Sequence, residues 1–157
     1  MGLSYELQNR HWMYLNGVIM VSPADYKLFE EGDAVNSSLH LPYYTATAWY
    51  HKKLKVEYQS MDLENLIQIS EDFAYNKLLP AIAKGGYVDV ETKREVAQKI
   101  KDLTGISYED IIDNNLRISP SFFWKDLLRD EGYTIGRLDS RYKGIDSRDS
   151  GDSIEYA

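Results

Sequence analysis

Leu15-Asn-Gly-Val-Ile-Met-Val21 is almost unbroken apolar, is β-branched in part, and is closed by Ser22-Pro23. Such a short run, ended by a turn signal, predicts a parallel strand covered on both faces. A parallel strand needs neighbours reached by crossovers of a dozen residues or more. The rest of the chain supplies no clear set of them. The strand reads as an orphan, and the stretch from Leu3 that leads into it reads as the tail of a helix. Asp25 to Ser38 is mixed and polar, with Gly32-Asp33 as a turn, and predicts a loop leaving the sheet.

Helical patterns dominate afterwards. Leu41 to about Val56 predicts an aromatic-rich helix, with Leu41, Tyr44, Ala48 and Trp49 near one face and Lys52, Lys53 and Lys55 at a solvated C-terminal end. Asp62 is a good N-cap for a helix on which Leu63, Leu66, Ile67, Ala74, Leu78, Ala81 and Ile82 recur at helical spacing. Pro80 lacks an N–H and crowds the carbonyl of Asn76, which predicts a kink before Gly85-Gly86 ends the element. Asp89 caps a further helix with Val96, Ile100 and Leu103 inward, stopped by Gly105. Ser107 with Asp110 starts a brief one. Ser119-Pro120 opens a last apolar helix through Phe122, Phe123, Trp124, Leu127 and Leu128, closed by Gly132. Tyr133 to Leu138 has an extended character. From Gly144 onward, Gly, Ser and Asp predict a flexible linker or tail. The expected fold class is mainly α with one orphan core strand at about residues 15–21, and the chain divides as 1–35, 36–143 and 144–157.

Composition narrows the function classes. Hydrophobic residues make up 43% and aromatics 13%, so the chain is expected to fold. The formal charge of −7 argues against nucleic acid or an anionic membrane surface as partner. No apolar run approaches the ~20 residues of a membrane span, and the opening residues do not read as a basic-then-apolar leader. The chain has no cysteine, which removes disulfides and Cys-ligated zinc without fixing the compartment.

Few residues offer chemistry. Gly2-Leu-Ser4-Tyr5 echoes a nucleophile elbow, but Glu6 stands where glycine is required, so Ser4 reads as a helix-surface serine. His11, His40 and His51 are the available imidazoles, none in a triad or metal spacing, and each reads as structural or superficial. Asp146, Asp149 and Asp152 recur every third residue, which does not fit a calcium loop, and read as a solvated linker. Arg137, Asp139 and Arg141 suggest a local ion-pair network or an anion contact. No catalytic residue, metal ligand or cofactor site is assigned. Tyr43, Tyr44, Trp49 and Tyr50 form the main site candidate, although aromatics at helical spacing are more often core.

Three separated motifs carry a resemblance: Leu3 to Pro23, Leu41-Pro-Tyr-Tyr-Thr-Ala-Thr-Ala-Trp-Tyr-His-Lys-Lys-Leu54, and the late run from Asn114-Asn-Leu-Arg-Ile118 to Gly136-Arg-Leu-Asp-Ser-Arg-Tyr142. In this order they resemble the bacterial serine carboxypeptidase-like branch of the α/β-hydrolases, over nearly the whole chain. The resemblance implies an internal piece comprising one core strand and the helical cap. Members of this family carry a Gly-x-Ser-Tyr-Gly elbow before the position of Ser4 and their Asp and His after Ala157. It implies a parent, with an exported or periplasmic location as one reading, that removes C-terminal residues from peptides by an acyl-enzyme mechanism. The piece itself would enclose the peptide substrate and be inactive alone, with Tyr44 and Trp49 as candidates for the cleft side of the cap. An orphan strand also predicts self-association of the isolated chain. The rival reading is a self-contained helical protein-interaction module with no hydrolase context.

Overall fold

In a computed structural model the described residues are 2–19, 33–148 and Gly151. The architecture is mainly helical, with a single two-stranded sheet among those residues. Helix α1 spans Gly2–His11, α2 Ala34–Leu39, α3 Leu41–Tyr50 and α4 Val56–Gln59. Helix α5 (Leu63–Phe73) continues through a π-helical turn at Ala74–Leu78 into α6 (Leu79–Lys84). Then follow α7 (Val90–Thr104), α8 (Tyr108–Asp113) and α9 (Pro120–Asp126). Strand β1 (Thr134–Ile135) pairs antiparallel with β2 (Lys143–Gly144).

The helix starts follow from local side-chain chemistry. Asp62 accepts hydrogen bonds from the N–H groups of Glu64 and Asn65, Asp89 from Thr92, Ser107 from Asp110, and Ser119 from Phe122. Each satisfies a donor that the first helical turn cannot pair internally. Asp33 does the same for Val35 and Asn36, and so starts α2 inside the segment expected to be a loop. Only Asp33 to Ser38 of that segment lies among the described residues.

Pro80 acts one turn upstream of itself. The N–H of Leu79 reaches back to the carbonyl of Ala74, a five-residue step, in place of the four-residue step of an α-helix. The disruption expected from proline is therefore absorbed as a π turn. Leu66, Ser70, Ala74, Leu78, Ala81 and Ile82 all remain buried through it.

Helix α3 is the centre of the body, packing against α5 and α7. The Tyr44 ring stacks on Phe123 of α9 at 4.2 Å between centroids, and Leu41 and Ala48 are buried beside it. The helix expected to run on to Val56 instead breaks at Lys52, which has φ +60. The break lets Leu54 turn inward, and Lys53 ion-pairs with Asp130 and Glu131 at 2.8 Å each instead of facing open solvent. Gly105 closes α7 at φ +74, where a Cβ would meet the Lys53 carbonyl oxygen at 2.8 Å. Left-handed backbone and close approach together require glycine there.

Two expectations are corrected. Leu15 to Ile19 forms no strand, and Ile19 is 93% exposed; Met20, Val21, Ser22 and Pro23 lie outside the described residues. A strand of this kind is stable only between partners, and the one sheet among the described residues is formed by β1 and β2. The second correction concerns residues 144–148, expected to be a flexible tail. The Asp146 carboxylate receives Lys125 Nζ at 2.6 Å and the Thr134 hydroxyl at 3.1 Å. Lys125 Nζ also donates to the Arg148 carbonyl. Both charged side chains are 3% exposed or less, so this segment is fastened to the body. Asp149 and Asp152 lie outside the described residues.

Candidate functional site

Two of the three imidazoles are held by backbone carbonyls. His40 Nδ1 donates to the Asn36 carbonyl at 2.7 Å, and His51 Nε2 donates to the Ser140 carbonyl at 2.7 Å. His11 is exposed at the end of α1. Among the described residues no serine hydroxyl is bonded to an imidazole nitrogen, so no nucleophile–base pair is assembled. Ser4 sits partly exposed on α1. No group of three His, Cys, Asp or Glu side chains that could hold a metal ion occurs among the described residues. Nor is any described helix long and apolar enough to cross a membrane.

The loop from Gly136 to Tyr142 is held by its own chemistry. Asp139 accepts three hydrogen bonds from the Arg141 guanidinium, two of them shared by Nε, and one from its backbone N–H. The guanidinium bonds and then the backbone N–H hold the Asp139 carboxyl down at about 2. Gly136 is obligatory because a Cβ would lie 2.7 Å from the Asp139 carbonyl oxygen. The loop rests on α3 through Ser140, which meets Thr47 Oγ1 at 3.2 Å and His51.

Tyr44 and Trp49, the sequence-level candidates for a cleft face, occupy different layers. Tyr44 is 1% exposed, and burial, with the nearby Tyr43 adding to it, raises its phenol far above the usual range. Its hydroxyl donates to the Ile118 carbonyl at 3.0 Å, and its ring stacks on His40. Trp49 is half-buried and donates from Nε1 to the Met61 carbonyl at 3.3 Å. Within this chain Tyr44 is therefore an interior residue whose polar atom supports a wall.

That wall belongs to a cavity of about 290 Å³. Its polar lining comes from Asn36, Ser37 and His40 on one side and from Asn114, Arg117 and Ser119 on the other. Ile118 contributes an apolar surface and is fixed from behind by Tyr44. The second side is the connection between α8 and α9, where Asn115 and Leu116 adopt φ +51 and +68 in succession. Asn tolerates this region, whereas a branched apolar residue is rare there. Leu116 is kept in it by burial and by an N–H bond to the Ile111 carbonyl at 2.9 Å. This turn delivers Arg117 to the cavity, with its guanidinium reaching the Ile82 carbonyl at 3.4 Å and the Asn115 carbonyl at 3.5 Å.

Sequence reasoning did not find this cavity. Of its polar lining, His40 reads in the sequence as an isolated imidazole, Ser119 as a helix cap, and Asn114 and Arg117 only as part of the late motif. The available signal was Asn114-Asn115 followed by Arg117 and Ser119-Pro120, a polar interruption between two apolar helices. No family model, curated protein or solved structure matches the chain.

Proposed function

We propose that this chain is the cap-region segment of a serine carboxypeptidase-like peptidase, enclosing the C-terminal end of a peptide while supplying no catalytic group. The observation that carries the reading is that the 41–54 motif meets both ends of the late run, 114–118 and 136–142, although they lie far apart in sequence. Tyr44, from the 41–54 motif, bonds to Ile118 of the 114–118 motif. Thr47 and His51, from the same helix, bond to Ser140 of the 136–142 motif. Motifs that a fold brings to one place are the ones a shared function would keep together. In the parent, chemistry would come from Ser, His and Asp outside this chain.

Two measurements test this. The coding sequence around this segment should contain a Gly-x-Ser-Tyr-Gly elbow on one side and Asp and His motifs on the other, and the protein it encodes should release C-terminal residues from peptides. This chain alone should remain unlabelled by a fluorophosphonate probe. Stoichiometric labelling at Ser4 would sink the assignment.

One observation favours a second reading, a helical module that docks another protein. Trp12, Met13, Tyr14, Leu15, Val18 and Ile19 are all exposed.

A further inference from the structure

The exposed apolar run after α1 holds one amide side chain, Asn16, and the residue that follows it is Gly17. Asparagine is among the chemically labile residues. It is most reactive directly before glycine, which has no Cβ to shield its own nitrogen or to restrict rotation. We propose that Asn16 and Gly17 form a self-modifying site, at which the chain converts its own side-chain amide to a carboxylate with water as the only co-reactant.

The step needs a backbone nitrogen that can lose its proton to solvent base and swing onto the preceding side chain. The Gly17 nitrogen attacks Cγ of Asn16, the new N–Cγ bond forms, the Cγ–Nδ2 bond breaks, and Nδ2 leaves as ammonia. Water then opens the cyclic imide. Attack at Cγ gives aspartate, and attack at the backbone carbonyl carbon gives isoaspartate. One water is consumed, one ammonia is released, and nothing is oxidised or reduced. The structure leaves this path open. Asn16 and Gly17 are exposed and irregular, and no residue from 2 to 19 is buried. Among the described residues, backbone bonding along this stretch stops at the Met13 N–H, which donates to the Leu7 carbonyl at 3.0 Å. A Cβ added at Gly17 would meet none of the described atoms within 4 Å, so nothing there crowds the ring closure.

Asn36 shows the opposite case within the same chain. It precedes Ser37, another small residue, but the Ser37 N–H donates to the Asp33 carbonyl at 2.9 Å within α2. Helical backbone holds that nitrogen away from the Asn36 side chain. The product at Asn16 has a physical consequence, because it puts a carboxylate in the middle of the apolar run from Trp12 to Ile19 and so opposes burial of that run. The reaction is independent of the peptidase reading.

The test is incubation of the whole chain at mildly alkaline pH, followed by trypsin digestion and mass spectrometry against an unincubated sample. The peptide from His11 to Lys27 should show the mass increase of an amide-to-acid change and separate into two isomers on chromatography. Asn36 should react at least tenfold more slowly in the folded chain and speed up in urea, while Asn16 should change little in urea. Gly17→Pro removes the N–H that must attack, and should lower the rate of amide loss at Asn16 at least tenfold without moving the helical melt. An Asn16 amide that survives in the folded chain but is lost in urea overturns the site. So does formation of aspartate alone, or an undiminished rate in Gly17→Pro.

Discussion

Residues 12–19 and residues 143–148 are both short, largely irregular stretches at the margin of the helical body, and they are treated in opposite ways. The first is apolar and stands in solvent: Trp12, Tyr14, Val18 and Ile19 are each more than half exposed. The second is polar and docks: Asp146 is buried against Lys125 and Thr134, and β2 pairs with β1. Burial in this molecule is decided by whether a partner is at hand. An apolar run without a facing surface stays wet, while a carboxylate with an ammonium and a hydroxyl waiting for it goes inside.

The largest expected effect separates the body from the exposed run. Leu66 is fully buried at the α5 core face, and Leu66→Asp should unfold residues 33–148, since an unpaired buried carboxylate costs several kcal/mol. Leu15→Asp should leave the melting transition nearly unchanged, within about 0.5 kcal/mol. Circular dichroism melts of the two variants provide the check, and similar losses would erase the distinction between the regions.

Next in size is the buried ion pair. Asp146→Ala leaves the buried Lys125 ammonium without its carboxylate and should destabilise by about 3–5 kcal/mol. Replacing both groups, as Lys125→Met with Asp146→Leu, should recover most of that loss, because the desolvation penalty disappears together with the attraction. A single substitution as mild as a surface change would mean that 143–148 is not fastened as described. Denaturant titration reads both.

These two contrasts show what was legible in the sequence. Helix starts were, because Asp62, Asp89, Ser107 and Ser119 act on N–H groups two or three residues away. Core stripes were as well, since helical spacing is enough to place Leu66, Leu78, Val96 and Ile100 inside. The Leu15–Val21 strand misled because an apolar run states only what would favour burial. Residues 144–148 misled for the converse reason, as Lys125 and Asp146 are 21 positions apart and neither announces the other. The cavity was illegible for a similar reason. Asn36 and His40 reach Arg117 and Ser119 only once α2 and the α8–α9 connection are packed side by side.

The exposed run gives the third test. We propose that it drives self-association of the isolated chain, because apolar side chains left in water favour pairing with a second copy. Sedimentation at micromolar concentration should detect a dimer or larger species. Val18→Lys with Ile19→Lys should shift the equilibrium toward monomer by about tenfold or more, with the helical melt unchanged. A wild-type chain that stays monomeric would show that exposure of this run has no associative consequence.

The smallest effect sharpens the comparison at its polar end. The Asp139 carboxyl sits at about 2 in the folded loop, against roughly 3.9 for an unperturbed aspartate. A carboxyl whose value is depressed on folding contributes stability that is present above the unfolded value and is lost as pH falls through the folded one. Acidification from about pH 4 to pH 2 should therefore release the Arg141 grip. An NMR titration should show the Asp139 carboxyl carbon moving late, together with the N–H of Arg141 that bonds to it. Because the pair is open to solvent, salt should screen it, and the change in overall stability should be slight. If Asp139 instead titrates near the unperturbed value, the loop is not organised by its Arg141 pair, and Gly136 with the Ser140 contacts to α3 must hold it alone.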